Sequence, residues 1–208
     1  MNPFIFARKK WREFRNSYAL NQYDRFTIAE HFRKQGAQIG EGCSIIPTSL
    51  GTEPYLIKIG NRVSIAANVG FMTHDGGAWI LRDEIQDAQM FGPIVIEDDC
   101  VIGANVAILP NITIGRRSIV ATGSVVISDI PPESIAVGVP ARVIGSVHKY
   151  QEKVRLAWEQ QRPPGIEIEP GATWWTSKNL PRNQQLLKAH LLSLFNNPGQ
   201  TLQPHANR

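Results

Sequence analysis

Cysteine is nearly absent: Cys43 and Cys100 are the only two in 208 residues. Two thiols cannot build a disulfide framework, and they form no metal-type pair, so the chain fits a reducing compartment. Long apolar runs are missing too. The opening MNPFIFARKKWREFRN holds only a three-residue apolar cluster ahead of its charges, too short for a signal-peptide core or a membrane span, and the expectation is a soluble, cytoplasmic protein. A strong charge imbalance is also lacking. Lys and Arg number 22 against 18 Asp and Glu, for a formal charge of +4 and a pI near 9.2. That excess suits a phosphorylated small molecule as well as nucleic acid, and no long basic run settles the choice. The cluster Arg8, Lys9, Lys10, Arg12 and Arg15 reads as the solvated face of a helix.

What the sequence has is a beat of six. From Ile96 it divides without remainder into IEDDCV, IGANVA, ILPNIT, IGRRSI, VATGSV and VISDIP, each opening on Ile or Val. The fifth residues (Cys100, Val106, Ile112, Ser118, Ser124, Ile130) are small or aliphatic, and the third and fourth are mostly polar or Gly. Two inward positions in six match neither a helix nor a long alternating strand. They match a short flat strand followed by a corner. Three such strands per coil make a triangular parallel β-helix in which each Ile or Val stacks on its equivalent about eighteen residues away. Upstream, the same code reads IGEGCS from Ile39, IIPTSL from Ile45, IGNRVS from Ile59, IAANVG from Ile65 and FMTHDG from Phe71, with the insertion GTEPYLIK between the second and third. The expected fold class is therefore an all-β solenoid spanning 39–145. Residues 1–38 read as an N-terminal helical cap and residues 146–208 as a C-terminal helical extension, with QEKVRLAWEQQ and NQQLLKAHLLSLF as its helices.

FMTHDG breaks the code. It sets Asp75 in the inward fifth slot, where a carboxylate costs several kcal/mol unless it is bonded, so either a partner compensates or the backbone turns away. A loop excursion over 77–95 follows, and loops of this length in compact domains are often functional. His74 and its surroundings are thus the candidate site, with the loop as its wall.

These residues carry a family resemblance. The chain resembles the hexapeptide-repeat acyltransferases with a left-handed parallel β-helix, a group that includes galactoside, maltose and xenobiotic acetyltransferases and the O-acetyltransferases of capsule and lipopolysaccharide. The resemblance covers roughly residues 36–145 and is most specific in GPIVIEDDCVIGANVAILPNITIGRRSIVATGSVVISDIPPESIAVGVPARVIG. It implies acetyl-CoA as co-substrate, no nucleic acid among the partners, a homotrimer with sites between neighbouring subunits, and His74, the histidine after Thr ahead of the excursion, as general base. It further implies pantetheine-arm contacts at Ala104 of IGAN and Thr122 of ATGS, and a phosphate contact at Arg142 of VPARVI. The sequence departs from the family at Val101, where Trp is common, and at Ile127, Ser128 and Asp129, where Thr-Lys-Asp is common; Arg116 or Arg117 is the candidate to replace the missing lysine.

Other roles stay open from the residues alone. Asp75 can orient His74, bind substrate or pin the turn at Gly76 and Gly77, the last two being favoured. Glu53 in the insertion can orient the imidazole or bind the acceptor. Trp79 can stack on a sugar ring or anchor the loop, and Tyr55 and Arg82 carry the same two readings. Cys43 and Cys100 sit at inward positions and read as core. A zinc hydratase of the γ-carbonic anhydrase type needs three converging histidines, but His74 is the only one inside the coils, so no metal is expected. The expected reaction is acetyl transfer to a hydroxyl of a saccharide, free, nucleotide-linked or lipid-linked. The alternatives are N-acetylation of a nucleotide-linked amino sugar and, in another class, a non-catalytic binding or scaffold β-helix.

Overall fold

The computed structural model describes residues 20–47 and 49–196. The basic cluster from Arg8 to Arg15, and with it the first half of the expected N-terminal cap, lies outside the described residues. The described residues divide into two compact units, one ending at Lys149 and the other beginning at Tyr150.

In the first unit the hexads form three parallel sheets. One contains β1 (Gln38–Ile39), β3 (Ile57–Ile59), β6 (Ile94–Ile96) and β9 (Ile112–Ile114). The second runs through β2 (Ser44–Ile45), β4 (Ser64–Ile65), β7 (Val101–Ile102), β10 (Ile119–Val120) and β12 (Ser134–Val137), and ends on β13 (Arg142–Ser146), which pairs antiparallel with β12. The third holds β5 (Gly70–Phe71), β8 (Ala107–Ile108) and β11 (Val125–Val126). From β3 to β11 successive strands visit the three sheets in turn, which is the triangular coil of a left-handed parallel β-helix. The first residue of every hexad from Ile39 to Val126 is buried. Each such Ile removes about 1.5–3 kcal/mol of apolar surface energy from water.

The corners explain the polar positions. Arg62, Asn68, Asp99, Asn105, Asn111 and Arg117, all fourth in their hexads, have φ between +53° and +62°. Left-handed backbone suits Asn and Asp best among residues with a Cβ, so the polar fourth position follows from chain geometry. The small fifth residues fill the corners from inside. Their polar atoms bond to carbonyls of neighbouring coils: Cys43 Sγ to Gly60 O at 3.2 Å, Cys100 Sγ to Gly115 O at 3.1 Å, and Ser118 Oγ to Pro131 O at 2.8 Å. Burial pushes the Cys100 thiol up to about 11, which removes it as a nucleophile at neutral pH.

One corner carries a ladder of alternating charge. The Arg62 guanidinium meets both Asp99 oxygens at 2.7 and 2.8 Å, Arg117 lies near Asp99 and 3.8 Å from Glu133, and His148 Nε2 is 3.1 Å from the other Glu133 oxygen. These groups are half exposed, so each pair adds little to stability.

Ahead of the first coil, α1 (Ala29–Lys34) buries Phe32 in the same core. Arg25 O accepts from Ile45 N at 2.7 Å, and Arg33 donates to the carbonyls of Ile39 and Gly40 at 2.8 and 2.7 Å. Edge groups that an open coil would leave bare are thereby satisfied. At the far end, α2 (Val147–Gln161) continues into the second unit, where α3 (Leu180–Asn196) holds the fully buried Asn183, whose amide bonds both backbone groups of Glu167. No helix among the described residues is long and apolar enough to cross a membrane.

Candidate functional site

The rung FMTHDG does not turn its corner as the others do. Phe71 and Thr73 are buried while Met72, His74 and Asp75 are exposed, so the chain runs on extended past the place where its neighbours adopt left-handed backbone. His74 then pairs antiparallel with Phe91: Asp75 N donates to Met90 O at 2.8 Å and Gly92 N to Thr73 O at 2.9 Å. This two-bond neck closes the excursion at its base. Asp75 is therefore not in the inward slot that the hexad frame assigns to it. Its carboxylate accepts from Gly77 N at 2.7 Å and caps the short helical turn Gly76–Leu81.

The insertion brings Glu53 to the imidazole. The turn Pro54–Leu56 follows Gly51, whose φ is +86° and whose absent Cβ would lie 2.9 Å from Phe71 O. Only glycine permits both the left-handed backbone and this crossing over the rung. Glu53 Oε2 then lies 3.0 Å from His74 Nδ1 and accepts from the Thr73 hydroxyl at 2.6 Å. The Thr52 hydroxyl is a longer 3.4 Å from the same Nδ1. The hydrogen bonds from Thr73 and then His74 hold the Glu53 carboxyl down at about 2, so it is ionised at any working pH. An ionised carboxylate only accepts, so Nδ1 is the donor, and in the neutral ring Nε2 is then the nitrogen without a proton. The Phe91 ring stands edge-on to the imidazole at 6.3 Å. Thr73, Thr52 and Phe91 were not singled out by sequence, and Thr73 leaves no mark there, since Thr122 holds the same third hexad place and is exposed.

The remaining candidates are dispersed. Tyr55 is exposed beside Glu53, its Cβ close against Gly36. On the loop Trp79 is 69% exposed, with the Arg82 guanidinium 5.6 Å from its ring centroid and bonded to its carbonyl. Ala104 and Thr122 stack on one corner, between the second and third sheets: Gly123 N donates to Ala104 O at 2.9 Å, and a Cβ on Gly103 would lie 2.5 Å from Thr122 N. His74 follows the third sheet and precedes the first, on a different corner of the same prism. Arg142 begins β13 and is exposed, one of its nitrogens on Ala141 O. Arg116 and Arg117 occupy the remaining corner, with the charge ladder, and Arg116 lines a groove of about 380 Å³ together with Lys58, Glu97 and Asp98. That groove includes none of the His74 group. No cluster of three or more potential metal ligands exists among the described residues.

Comparison with known proteins adds to this geometry. Residues 93–128 match the family described as bacterial transferase hexapeptide (six repeats). The chain is 43% identical over 128 residues to protein CapG of Staphylococcus aureus, across 60% of this chain and 74% of that protein. It is 37% identical over 97 residues to the galactoside O-acetyltransferase of Escherichia coli (strain K12), across 46% of this chain and 47% of that enzyme, and so spans less than half of its length. Among solved structures, a galactoside acetyltransferase in complex with coenzyme A shares 26% identity over 70% of this chain and 84% of that one, with a TM-score of 0.47.

Proposed function

Because this chain belongs to the hexapeptide-repeat acetyltransferase family, we propose that it transfers the acetyl group of acetyl-CoA to a hydroxyl of a saccharide acceptor, with His74 as the general base. The carrying observation is the bond from His74 Nδ1 to the ionised Glu53 carboxylate, which leaves a basic Nε2 at the mouth of an excursion loop. Nε2 takes the hydroxyl proton as the acceptor oxygen forms its bond to the thioester carbonyl carbon. The carbon–sulfur bond breaks, and the proton returns from the imidazole to the departing thiolate. No acyl-enzyme is needed.

The acceptor class draws on the galactoside O-acetyltransferase among the relatives and on the exposed Trp79, Tyr55 and Arg82 near the loop and insertion. The corner of Ala104 and Thr122 fits an extended pantetheine arm, since its side chains are small and neither residue is buried. That corner is not the corner of His74, so one chain does not supply both halves of a site. A homotrimer, each site formed between neighbouring copies, is the assembly that joins them. Release of free thiol from acetyl-CoA, measured against a panel of sugars, amino sugars and their nucleotide-linked forms, tests the reading. Turnover with a neutral sugar that disappears in His74→Ala supports it. Turnover confined to amino sugars, or none with any member, refutes the hydroxyl assignment.

A further inference from the structure

We propose that Thr73 is a positioning residue for this reaction: its hydroxyl fixes the Glu53 carboxylate and, through that carboxylate, the tautomer and orientation of the His74 imidazole. The inference rests on the assignment of His74 as base, and adds a residue that touches neither the imidazole nor a substrate.

Thr73 is 1% exposed and bonded on two sides. Its hydroxyl donates to Glu53 Oε2 at 2.6 Å, while its carbonyl accepts from Gly92 N at 2.9 Å. The side chain thus grips the insertion and the backbone grips the returning end of the loop. Regular rungs put the third residue at a corner, as with Asn61, Asp98 and Ala104, none of which is buried. Thr73 is buried instead because its rung does not turn there and the crossing insertion brings the Glu53 carboxylate onto its hydroxyl.

Two donors converge on one oxygen. Oε2 receives the Thr73 hydroxyl and the His74 Nδ1–H, so its position is set from a buried rung on one side and read by the ring on the other. Glu53 itself stands at the start of a short turn beside exposed Thr52 and Tyr55, and its three side-chain torsions need an anchor. The short hydroxyl bond also draws electron density from the carboxylate, which keeps the shared proton on Nδ1 and not on the oxygen. Other charges nearby are few. Asp75 is turned to Gly77 N, and neither the stretch Met90 to Gly92 nor the rest of 51–56 is charged.

The test compares Thr73→Val, Thr73→Ala and Thr73→Ser in the full chain. Nitrogen-15 spectra of labelled histidine, with the His74 signals identified by their loss in His74→Ala, read the tautomer without any substrate. The wild type and Thr73→Ser should show Nδ1 protonated and Nε2 bare, whereas Thr73→Val and Thr73→Ala should show a mixture. Turnover of acetyl-CoA with the best sugar of the panel should fall about tenfold in Thr73→Val, with its KM for acetyl-CoA unchanged, and return in Thr73→Ser. If Thr73→Val does not fold, the Ala and Ser variants both lack the methyl group and differ only in the hydroxyl. Identical His74 spectra in Thr73→Ala and Thr73→Ser overturn the proposal, as does equal turnover in that pair. An active His74→Ala would instead sink the base assignment, while the spectra would still decide what Thr73 does.

Discussion

Glu53 and His74 lie 21 residues apart in sequence, and the carboxylate of the first holds the imidazole of the second through one 3.0 Å bond. The two come together only because the insertion crosses over a rung that has stopped following the hexad rule. The side chains are 13% and 43% exposed respectively, so the carboxylate is shielded while the imidazole is open to solvent.

Replacing His74 by Ala should leave the coil assembled, since the side chain points away from the Ile and Val stack. Turnover should drop by about two to four orders of magnitude, the usual contribution of a positioned proton acceptor. Circular dichroism and sedimentation report the fold, and thiol release reports the rate. A variant close to the wild-type rate would return His74 to the status of an ordinary loop residue.

Glu53→Gln should change acid stability in a defined window. The carboxyl titrates near 4.5 when unfolded and is held at about 2 in the fold. Its contribution to stability is therefore complete above the unfolded value and is lost as pH falls from 4.5 towards 2. Urea midpoints of the wild type minus those of Glu53→Gln should shrink over that interval. A gap that stays constant with pH would show that the carboxylate is not held by its neighbours in solution.

Arg142→Ala should weaken acetyl-CoA binding while leaving turnover at saturation nearly unchanged. Its guanidinium is exposed at the start of β13 and spends only one nitrogen on a local carbonyl. The remaining donors suit a phosphate. The measurement is the Michaelis constant for acetyl-CoA, and an unaltered value would remove Arg142 from the binding surface.

Asn105→Val should destabilise the coil by about 1–3 kcal/mol, because a β-branched residue at φ +57° is strained and the bond from Asn68 Nδ2 is lost. Asn105→Gly should cost less, as it keeps the backbone freedom. Thermal denaturation of the pair separates them, and equal losses would mean that the side-chain bond, not the backbone, matters at this corner.

The coil was legible because each hexad position answers to one local requirement: inward bulk at the first, left-handed backbone at the fourth, small size at the fifth. The exceptions were not legible, for a physical reason. For Asp75 the sequence left open a bonded carboxylate in the inward slot or a backbone that turns away; which one occurs depends on the strand that pairs with the rung, and Phe91 arrives from beyond the loop. The insertion was read as wholly outside the repeat, yet Ile57 and Lys58 belong to β3, where the β1 to β3 register, Ile39 to Ile59, exceeds the regular spacing by two residues. Glu53 was in view as a candidate; Thr73 was not, because its burial follows from the same unturned corner. Arg116 and Arg117 were candidates for a coenzyme contact, and the chain sets them on a corner shared with neither His74 nor Ala104.

The charge ladder along that corner bears on how near-identical rungs find the right neighbours. Ile and Val stacks are almost interchangeable, so burial alone hardly distinguishes a coil seated on its proper neighbour from one that has skipped a storey. The sequence of signs does: Arg62, Asp99, Arg117, Glu133. Skipping one storey sets Arg62 against Arg117 and Asp99 against Glu133, two repulsions in place of the attractions. Pairs too exposed to add much strength can still act as a parity check on assembly, penalising an odd error that the greasy interior would let pass.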